Sequence, residues 1–493
     1  MAIHDAVATS LLDESRWAGL ISSDGWIEAP ATLPVTEPAT GDVLGTAGVA
    51  DAAAVARAAA SAARNQRAWA ATPFSERAAV MRRAAALLEA HHDEIAGWIV
   101  RESGSVPAKA GVELQLAGGE LLEAATLPSR PSGQLLPSMD PGRTSLARRV
   151  PVGVVGVIAP WNFPVILAMR SVAPALALGN AVVLKSDVNT PVIGGVLLAR
   201  LFEEAGLPSG VLHVFAGGPE VGAALVADPN VAMISFTGST KVGRMVGETA
   251  GRLLKRVALE LGGNNALIVL DDADVDAASS AGAWGSFLHQ GQICMTAGRH
   301  LVHESLVEEY LAKLTERAER LPLGNPATDE VALGPLINAG QVGRVQGLVD
   351  ASVRQGAAVL AGGQADGPGF PATVLRDVTR DMPVFREEIF GPVAPVTSFR
   401  DEDEAIALAN DSEYGLTAAI QSGSAPRALA LSAQLDVGMV HINDQTVNDE
   451  AWAPFTGLGA SGNGISFGSP VNQDAFTEWQ WVTSRSQASP FPF

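Results

Sequence analysis

The only cysteine of the 493-residue chain is Cys294, in the stretch FLHQGQICMTAGRH at residues 287–300. A cysteine that merely fills a core normally has apolar neighbours. Here polar residues surround the thiol, and Gly291 and Gly298 would allow a ligand or another backbone segment to approach it closely. The residues by themselves leave two interpretations open, a small packing residue and a catalytic nucleophile.

Glu260 is a candidate general base for such a nucleophile. It stands before a glycine pair and a strongly apolar run in LELGGNNALIVLDDAD, residues 259–274. An isolated Glu before two glycines is usually a solvated loop end. However, desolvation by apolar neighbours raises the pKa of a carboxyl group, and a raised pKa suits a base that works near neutral pH.

Asn162 is a candidate donor to a developing oxyanion. It lies in APWNFPVILAMR, residues 159–170, between a predicted strand end and a predicted helix start. The turn has a purely structural interpretation. In the functional one, the side-chain amide donates to the oxyanion, and the nearby helix N-terminus favours negative charge.

Two glycine-containing stretches, FAGGPEVGAAL at 215–225 and FTGSTKVGR at 236–244, follow predicted strands. Neither contains the G-x-G-x-x-G dinucleotide fingerprint. Each nevertheless opens a helix directly after a strand, where backbone N–H groups can bind a pyrophosphate. The residues that we expect at these two junctions are Gly218, Gly222, Gly238 and Ser239.

Short apolar runs alternate with helix-length segments from residue 151 onwards. This pattern predicts an α/β fold whose parallel sheet is covered on both faces. We expect strands at 152–158, 181–185, 211–215, 231–236 and 266–270. Upstream, Thr72 and Pro73 predict the start of a helix that continues to Gly104, and Ser305 with Glu308 predicts a capping box.

The bulk composition excludes several classes of protein. The net charge of −20 argues against nucleic-acid binding, which needs a basic surface. The most apolar window is interrupted by Pro160, Asn162 and Pro164, so we expect no membrane span. The opening residues MAIHDAVATSLLDESRW predict no signal peptide, a single cysteine permits no internal disulfide, and we expect a cytoplasmic protein. The eight histidines have no metal-ligand spacing, so no metal site is predicted.

Seven motifs in order resemble those of the aldehyde dehydrogenase superfamily, and the resemblance covers essentially the whole chain. They are PWNFP (160–164), the strand-end Lys185, FTGSTKVG (236–243), ELGG (260–263), GQICMTAGR (291–299), EEIFGPV (387–393) and PFTGLGASGNG (454–464). Within the superfamily, the sequence looks most like benzaldehyde dehydrogenases.

The resemblance implies an aldehyde dehydrogenase-like α/β fold with two parallel-sheet Rossmann-type domains and a β-arm for oligomerisation. We expect a cofactor-binding domain from residues 1–127 and 149–261, a catalytic domain from 262–445, and an arm from 128–148 and 465–493. Proteins of this family pair their subunits through such arms, so a homodimer or homotetramer is expected.

The resemblance also implies the chemistry. Cys294 would attack an aldehyde to give a thiohemiacetal, Asn162 and the Cys294 N–H would hold the oxyanion, and Glu260 would activate the water that hydrolyses the later thioester. Loop N–H donors and a cationic nicotinamide would favour the thiolate. Lys185 would bind the adenine ribose, Gly238 and Ser239 would lie near the pyrophosphate, and the remaining cofactor contacts would come from Gly218, Gly222, Trp161, Glu388 and Phe390.

The sequence departs from the family pattern at several positions. Val188 stands where the family often has a Glu that binds the ribose hydroxyls and repels a 2′-phosphate, so we expect NAD or NADP to be used, unless Asp187 takes over that role. In the C-terminal motif, Thr456 replaces a glycine and Gly459 replaces a lysine.

The expected substrate is an aromatic, benzaldehyde-like aldehyde. Phe163, Ile166 and Ile293 would form apolar walls suited to a flat ring, with plain core packing as the alternative. Arg170 would either attract an acidic substrate or form a structural salt bridge. An aliphatic or semialdehyde dehydrogenase, a CoA-acylating relative and a non-catalytic binding protein of the same fold remain alternatives, and the presence of Glu260 argues against the CoA-acylating one.

Overall fold

The computed structural model describes residues 10–469, 471–488 and 490–493, so the first nine residues of the opening segment lie outside it. Four short strands come first, namely β1 (Leu20–Ser22), β2 (Trp26–Glu28), β3 (Ala31–Thr36) and β4 (Val43–Val49). Four helices follow, namely α1 (Ala52–Ala71), α2 (Phe74–Ala90), α3 (His92–Ser103) and α4 (Pro107–Ala124).

The single helix predicted from Thr72 to Gly104 is wrong in two respects. It is divided into α2 and α3 at His91, and Thr72 caps the end of α1, so that Pro73 rather than Thr72 precedes the first residue of α2. The Glu94 carboxylate accepts hydrogen bonds from the backbone N–H groups of Leu11 and Leu12 and contacts the His91 ring, so tertiary contacts hold the break. The predicted stop is confirmed, since Gly104 has φ +67° and ends α3 in the left-handed region.

The next part of the chain contains the strands β5 (Gly133–Leu136) and β6 (Arg143–Pro151), and then β7 (Val154–Ile158), α5 (Pro164–Ala177), β8 (Ala181–Ser186), α6 (Leu197–Glu204), β9 (Leu212–Ala216), α7 (Pro219–Ala227), β10 (Met233–Thr237), α8 (Thr240–Arg252) and β11 (Arg256–Glu260). Strands β7 to β11 are parallel and lie in the order β11-β10-β7-β8-β9, which continues through the antiparallel β1 and β2. The four runs predicted here as buried strands are confirmed within two residues.

The carboxyl edge of this first sheet collects most of the candidate residues. Asn162, Lys185, Gly218, Gly238 and Glu260 lie at or just beyond the ends of β7, β8, β9, β10 and β11, respectively. The connections from β7 and from β9 run to opposite sides of β7, so the strand order reverses between β7 and β10. A crevice at such a switch point is where parallel α/β sheets bind ligands.

A second sheet is built from the rest of the chain. The elements of this part of the chain are β12 (Asn265–Val269), α9 (Val275–Phe287), β13 (Ala297–His303), α10 (Val307–Glu319), α11 (Ala339–Arg354), β14 (Ala358–Ala361), β15 (Thr373–Arg376), α12 (Pro383–Arg386), β16 (Val393–Phe399), α13 (Glu402–Asn410), β17 (Tyr414–Gly415), β18 (Thr417–Gln421), α14 (Ala425–Ser432) and β19 (Met439–Ile442). All of these strands except β17, which pairs with the later β20 (Leu458–Gly459), belong to the second sheet. The strand order is β14-β15-β16-β13-β12-β18-β19, and all neighbours except β14 and β15 are parallel.

The amino edge of this second sheet supplies the other half of the site. Gly263, Cys294 and Phe390 stand just before β12, β13 and β16, respectively. The predicted capping box of α10 is wrong, because Ser305 hydrogen-bonds to the His303 ring and the helix begins at Val307 without a side-chain cap.

The last elements are β20 (Leu458–Gly459), α15 (Asn472–Phe476) and β21 (Thr477–Arg485). Strand β21 pairs antiparallel with β6 from Thr477 opposite Pro151 to Arg485 opposite Arg143, and β6 also pairs with β5. Segments far apart in sequence therefore form one three-stranded sheet. Among the described residues, no helix combines the length and apolar composition that a membrane crossing requires.

Candidate active site

Two cavities meet at Cys294. Both are lined by Cys294, Asn162 and Leu167, so the thiol and the candidate oxyanion donor are reached from either side. The cavity at the switch point has a volume of about 220 Å³, and its lining also includes Trp161, Gly238, Ser239, Gly262, Arg344, Glu388 and Phe390. The second has about 260 Å³, and its lining also includes Phe163, Ile166, Arg170, Trp284, Ile293, Met295, Asp449 and Phe455.

Asn162 is buried, and its side-chain Nδ2 donates a hydrogen bond to the carbonyl oxygen of Gln292, 2.9 Å away. This bond uses one of the two amide hydrogens and leaves the other for a ligand. The expected contribution of the α5 N-terminus is offset, because its first free N–H, on Val165, donates to the buried Glu113 carboxylate at 2.8 Å. The first free N–H of the helix end is therefore already occupied, whereas one hydrogen of the Asn162 amide is not.

Cys294 is half-buried on a closely packed loop. The Asn265 amide donates to the Cys294 carbonyl oxygen at 2.8 Å, and a Cβ on Gly263 would lie 2.3 Å from that same oxygen. The glycine at position 263 therefore allows its backbone to lie against the backbone of Cys294.

The loop N–H donors that we expected to favour the Cys294 thiolate do not contact the sulfur atom within the described part of the chain, whereas the expected effect of a cationic nicotinamide stays a prediction. Burial, and then the nearby carboxyl groups of Glu388 and Glu260, raise the pKa of the Cys294 thiol to about 12. Among the described residues, none donates a hydrogen bond to the sulfur atom. The thiol is therefore neutral in the protein alone at neutral pH.

Glu260 ends β11 and is only 4% exposed. Within the described part of the chain, neither carboxylate oxygen has a hydrogen-bond partner. Burial raises the Glu260 pKa well above its ordinary value, and the charges of Arg170 and Asp449 act in opposite directions. A carboxyl group with a raised pKa and no partner is suited to bind water and to exchange a proton with it there.

The cavity at the switch point has features that suit a dinucleotide. Helix α8 begins after Ser239 without a side-chain cap, so no side chain of the described residues occupies the N–H groups of its first turn, which can bind an anion. Trp161 and Phe390 meet edge to face with ring centroids 5.4 Å apart, and Phe390 has φ +55°. A non-glycine residue in that region is strained, which is common where a ligand is clamped.

Glu388 accepts a hydrogen bond from the Gly263 N–H at 2.9 Å, and burial raises its pKa to about 7. A Cβ on Gly262 would lie 2.5 Å from the Glu388 carboxylate, so this glycine is needed for the close approach. The carboxyl group is thereby held facing the same cavity as Cys294.

Lys185 is buried at the end of β8, and its Nζ donates to the Ser186 carbonyl oxygen at 3.1 Å. Burial lowers the Lys185 pKa, while the charges of Asp187 and Glu220 oppose this. Val188 is exposed, and the Asp187 carboxylate is occupied by the backbone and side chain of Asn189 at 2.9 and 2.7 Å.

Sequence reasoning missed Glu220, although it lies inside the quoted stretch FAGGPEVGAAL. It occupies the first turn of α7, and its carboxylate folds back over Gly218, where an added Cβ would lie 2.7 Å from Oε2. By contrast, a Cβ on Gly222 would make only ordinary contacts, the nearest at 3.8 Å. An acidic residue at a junction that was already expected to bind the dinucleotide is a signal by which the sequence could have indicated Glu220.

The three residues expected in the substrate pocket, Phe163, Ile166 and Ile293, all line the second cavity with Cys294. For Arg170 the structural alternative is confirmed, because its guanidinium pairs with Glu120 at 3.2 Å and with Asp449. The Arg170 charge lowers the Glu120 pKa, but the larger effect of burial raises this pKa to about 7. Asp449 was not predicted.

Fold and site together define a protein of the aldehyde dehydrogenase class. The model of the aldehyde dehydrogenase family matches residues 26–482, and the chain belongs to this family. The resemblance and the fold class expected from the motifs are thus confirmed.

Aromatic aldehyde dehydrogenases are among the relatives. The chain is 58% identical to a vanillin dehydrogenase of Amycolatopsis sp. over 98% of its own length and 100% of that protein. It is 53% identical to the benzaldehyde dehydrogenase [NAD(+)] of Pseudomonas putida, over 98% and 99%. A salicylaldehyde dehydrogenase structure from Pseudomonas putida G7, complexed with salicylaldehyde, superposes with a TM-score of 0.92 at 35% identity, covering 97% and 99% of the two chains.

Proposed function

We propose that this protein oxidises aromatic aldehydes to carboxylic acids with a nicotinamide dinucleotide. The observation that carries the proposal is the position of Cys294 and Asn162 at the junction of two cavities, one with an uncapped helix N-terminus and one with aromatic and branched apolar walls. The names of the similar proteins support an aromatic substrate.

In the proposed reaction, the Cys294 thiol releases its proton to water in the cavity, and the resulting thiolate attacks the aldehyde carbonyl carbon. Deprotonation is the costly step, because burial and two carboxyl groups oppose it. The free amide hydrogen of Asn162 donates to the oxyanion of the thiohemiacetal. A nicotinamide dinucleotide bound in the switch-point cavity would supply the acceptor for the hydride of this carbon. Glu260 then takes a proton from the water that hydrolyses the Cys294 thioester.

NAD⁺ is the proposed cofactor, and NADP⁺ is proposed to be tolerated because Val188 offers no carboxylate against a 2′-phosphate. We assign the adenine ribose to Lys185, the pyrophosphate to Gly238 and Ser239, and the nicotinamide ribose to Glu388. The other proposed contacts are with Trp161, Phe390, Gly218 and Gly222.

The proposed domains are those expected from the sequence, with residues 1–127 and 149–261 binding the cofactor and 262–445 carrying the thiol. The arm of 128–148 and 465–493 would join subunits into a homodimer or homotetramer. Its sheet exposes Trp479 and Trp481 (52% and 69% exposed), an apolar surface that pairing would cover. We propose a cytoplasmic location, since a chain with one cysteine does not rely on an oxidising compartment.

A substrate panel tests the proposal. Benzaldehyde, vanillin and hexanal are each assayed with NAD⁺ and NADP⁺, and we expect kcat/KM for the aromatic aldehydes to exceed that for hexanal by about tenfold or more. A preference for hexanal would favour the aliphatic alternative. Cys294→Ala is the control, and dehydrogenase activity retained in that variant would contradict the covalent mechanism.

A further inference from the structure

A buried ion pair lies beside the turn that carries Asn162. Lys109 and Glu113, one turn apart on α4, are fully buried, and Lys109 Nζ lies 2.6 Å from Glu113 Oε2. Removing two charges from water costs free energy, and this cost is offset only when further hydrogen bonds of good geometry satisfy both groups. The partners of the pair therefore indicate its purpose.

Among the described residues, the further side-chain hydrogen bonds of the pair are all with the turn and the helix that follows it. Lys109 Nζ donates to the backbone carbonyl oxygen of Asn162 at 2.8 Å and lies 4.1 Å from the ring centroid of Phe163. The second oxygen of Glu113 accepts from the Val165 N–H at 2.8 Å. One pair thus fixes both the residue that carries the amide and the start of α5.

Asn162 is held from the other side by the loop of the thiol. Its Nδ2 donates to the Gln292 carbonyl oxygen, two residues before Cys294. With the backbone fixed by Lys109 and one amide hydrogen fixed by Gln292, the remaining amide hydrogen has a defined position at the junction of the two cavities.

We propose that Lys109, held by Glu113, is a positioning residue for the oxyanion donor Asn162, an inference that rests on the proposed role of Asn162. Neither Lys109 nor Glu113 lines either cavity that contains Cys294, so the pair acts through Asn162 and not on the substrate. A misplacement of the amide by about 1 Å is enough to slow a reaction on the order of 100-fold.

A double-mutant cycle tests the inference, with the NADH formed in the first turnover of benzaldehyde as the readout. We expect Lys109→Met to slow this step by about 10- to 100-fold in the natural background. In an Asn162→Ala background it should cause no more than about a twofold further loss, because the group through which it acts is already gone. The Kd of NAD⁺ should stay unchanged in Lys109→Met, whereas a general loosening of the protein's packing would raise this Kd.

The matched control is Lys255→Met. Lys255 Nζ also donates to a backbone carbonyl, that of Asp228, but Asp228, unlike Asn162, lines neither cavity, so the removal of Lys255 should leave the first turnover unchanged. Two results would overturn this inference but not the proposed function. One is a first-turnover rate in Lys109→Met within twofold of the natural rate, and the other is an equal loss of rate with and without Asn162. A natural protein inactive on every aldehyde would overturn the proposed function and this inference with it.

If Lys109→Met does not fold, the same cycle is run with Glu113→Gln. This isosteric change leaves the ammonium without its counter-ion, so a loss that depends on Asn162 is again expected. Glu102→Gln is its matched control, since Glu102 is also fully buried and accepts from two backbone N–H groups, those of Val192 and Ile193, at 2.8 Å. Equal slowing in Glu113→Gln and Glu102→Gln would overturn the inference.

Discussion

The side-chain Nδ2 of Asn162 donates to the carbonyl oxygen of Gln292 across 2.9 Å. This bond joins the carboxyl edge of one parallel sheet to the amino edge of the other, because Asn162 follows β7 and Gln292 precedes β13. The proposed oxyanion donor and the loop of the nucleophile therefore hold each other in place.

Replacing Asn162 by Ala removes both the donor and this link. We expect kcat for benzaldehyde to fall about 10²- to 10³-fold, the usual effect of losing one oxyanion donor, with little change in the KM for NAD⁺. Rapid-mixing measurements of NADH formation would locate the loss in the first turnover. Asn230→Ala serves as a control on a surface turn, and a loss confined to later turnovers would contradict the assigned role.

Glu260→Gln should separate the two halves of the reaction. The amide cannot accept a proton from water, so we expect a burst of about one NADH per subunit followed by turnover reduced on the order of 100-fold or more. Burial raises the Glu260 pKa, and only the deprotonated form is a base, so turnover of the natural protein should rise with pH through a value well above the ordinary 4.5. Steady-state pH profiles check this, with the exposed Glu89→Gln as control; full turnover in Glu260→Gln would exclude the assignment.

The first sheet could be predicted from the sequence because its central strands are buried on both faces. Strands β7 to β10 therefore appear as continuous apolar runs, and the structure places them within two residues of those runs. The three-residue strands β1 and β2, which extend this sheet, are too short to show a periodicity. The break at His91 depends on contacts with the N-terminal segment that local sequence does not encode.

The site residues could be predicted where a chemically suitable side chain stands in an unusual local sequence. Cys294 and Asn162 stand in unusual local sequences, and the structure brings both to the same cavities. Lys109 and Asp449 gave no such signal, because a charge on a predicted helix or loop is normally solvated. Their burial arises only when distant elements pack, and a single sequence does not show which elements will do so.

Cofactor preference should depend on Glu220. Two carboxyl groups, those of Asp187 and Glu220, act on Lys185, and Asn189 holds the Asp187 carboxylate in place. We expect the Glu220 carboxylate to approach the ribose, where its charge would oppose a 2′-phosphate. We expect Glu220→Gln to raise the ratio of kcat/KM for NADP⁺ to that for NAD⁺ by about tenfold, and Val188→Glu to lower it similarly.

Initial rates with varied cofactor at saturating benzaldehyde measure this ratio. Glu319→Gln, an exposed change at the end of α10, is the charge-matched control and should leave the ratio unchanged. If neither Glu220→Gln nor Val188→Glu moves the ratio by more than about twofold, the ribose assignment at Lys185 fails as well.

Stability should depend on pH through Glu102. Burial raises its pKa to about 8, against hydrogen bonds from Val192 and Ile193 that act in the other direction. The folded protein therefore keeps this proton up to about pH 8, whereas the unfolded chain releases it near 4.5. Since the unfolded state binds fewer protons in that window, this group makes the free energy of unfolding fall as pH rises, by up to about 1.4 kcal/mol per pH unit.

Glu102→Gln should remove this contribution. Below about pH 4.5 the carboxyl is protonated in both the folded and the unfolded protein and resembles an amide, so the variant should have nearly the natural stability there. Its stability relative to the natural protein should then rise from pH 5.5 to pH 8.5, where it should be the more stable of the two. Thermal unfolding of both proteins at pH 5.5, 7.0 and 8.5 gives the difference in Tm directly. Glu404→Gln is the matched control, because Arg400 holds the Glu404 pKa below its ordinary value and its contribution is constant over this range. A Tm difference for Glu102→Gln that stays constant with pH would show that the buried carboxyl is ionised throughout, held by the two N–H donors alone.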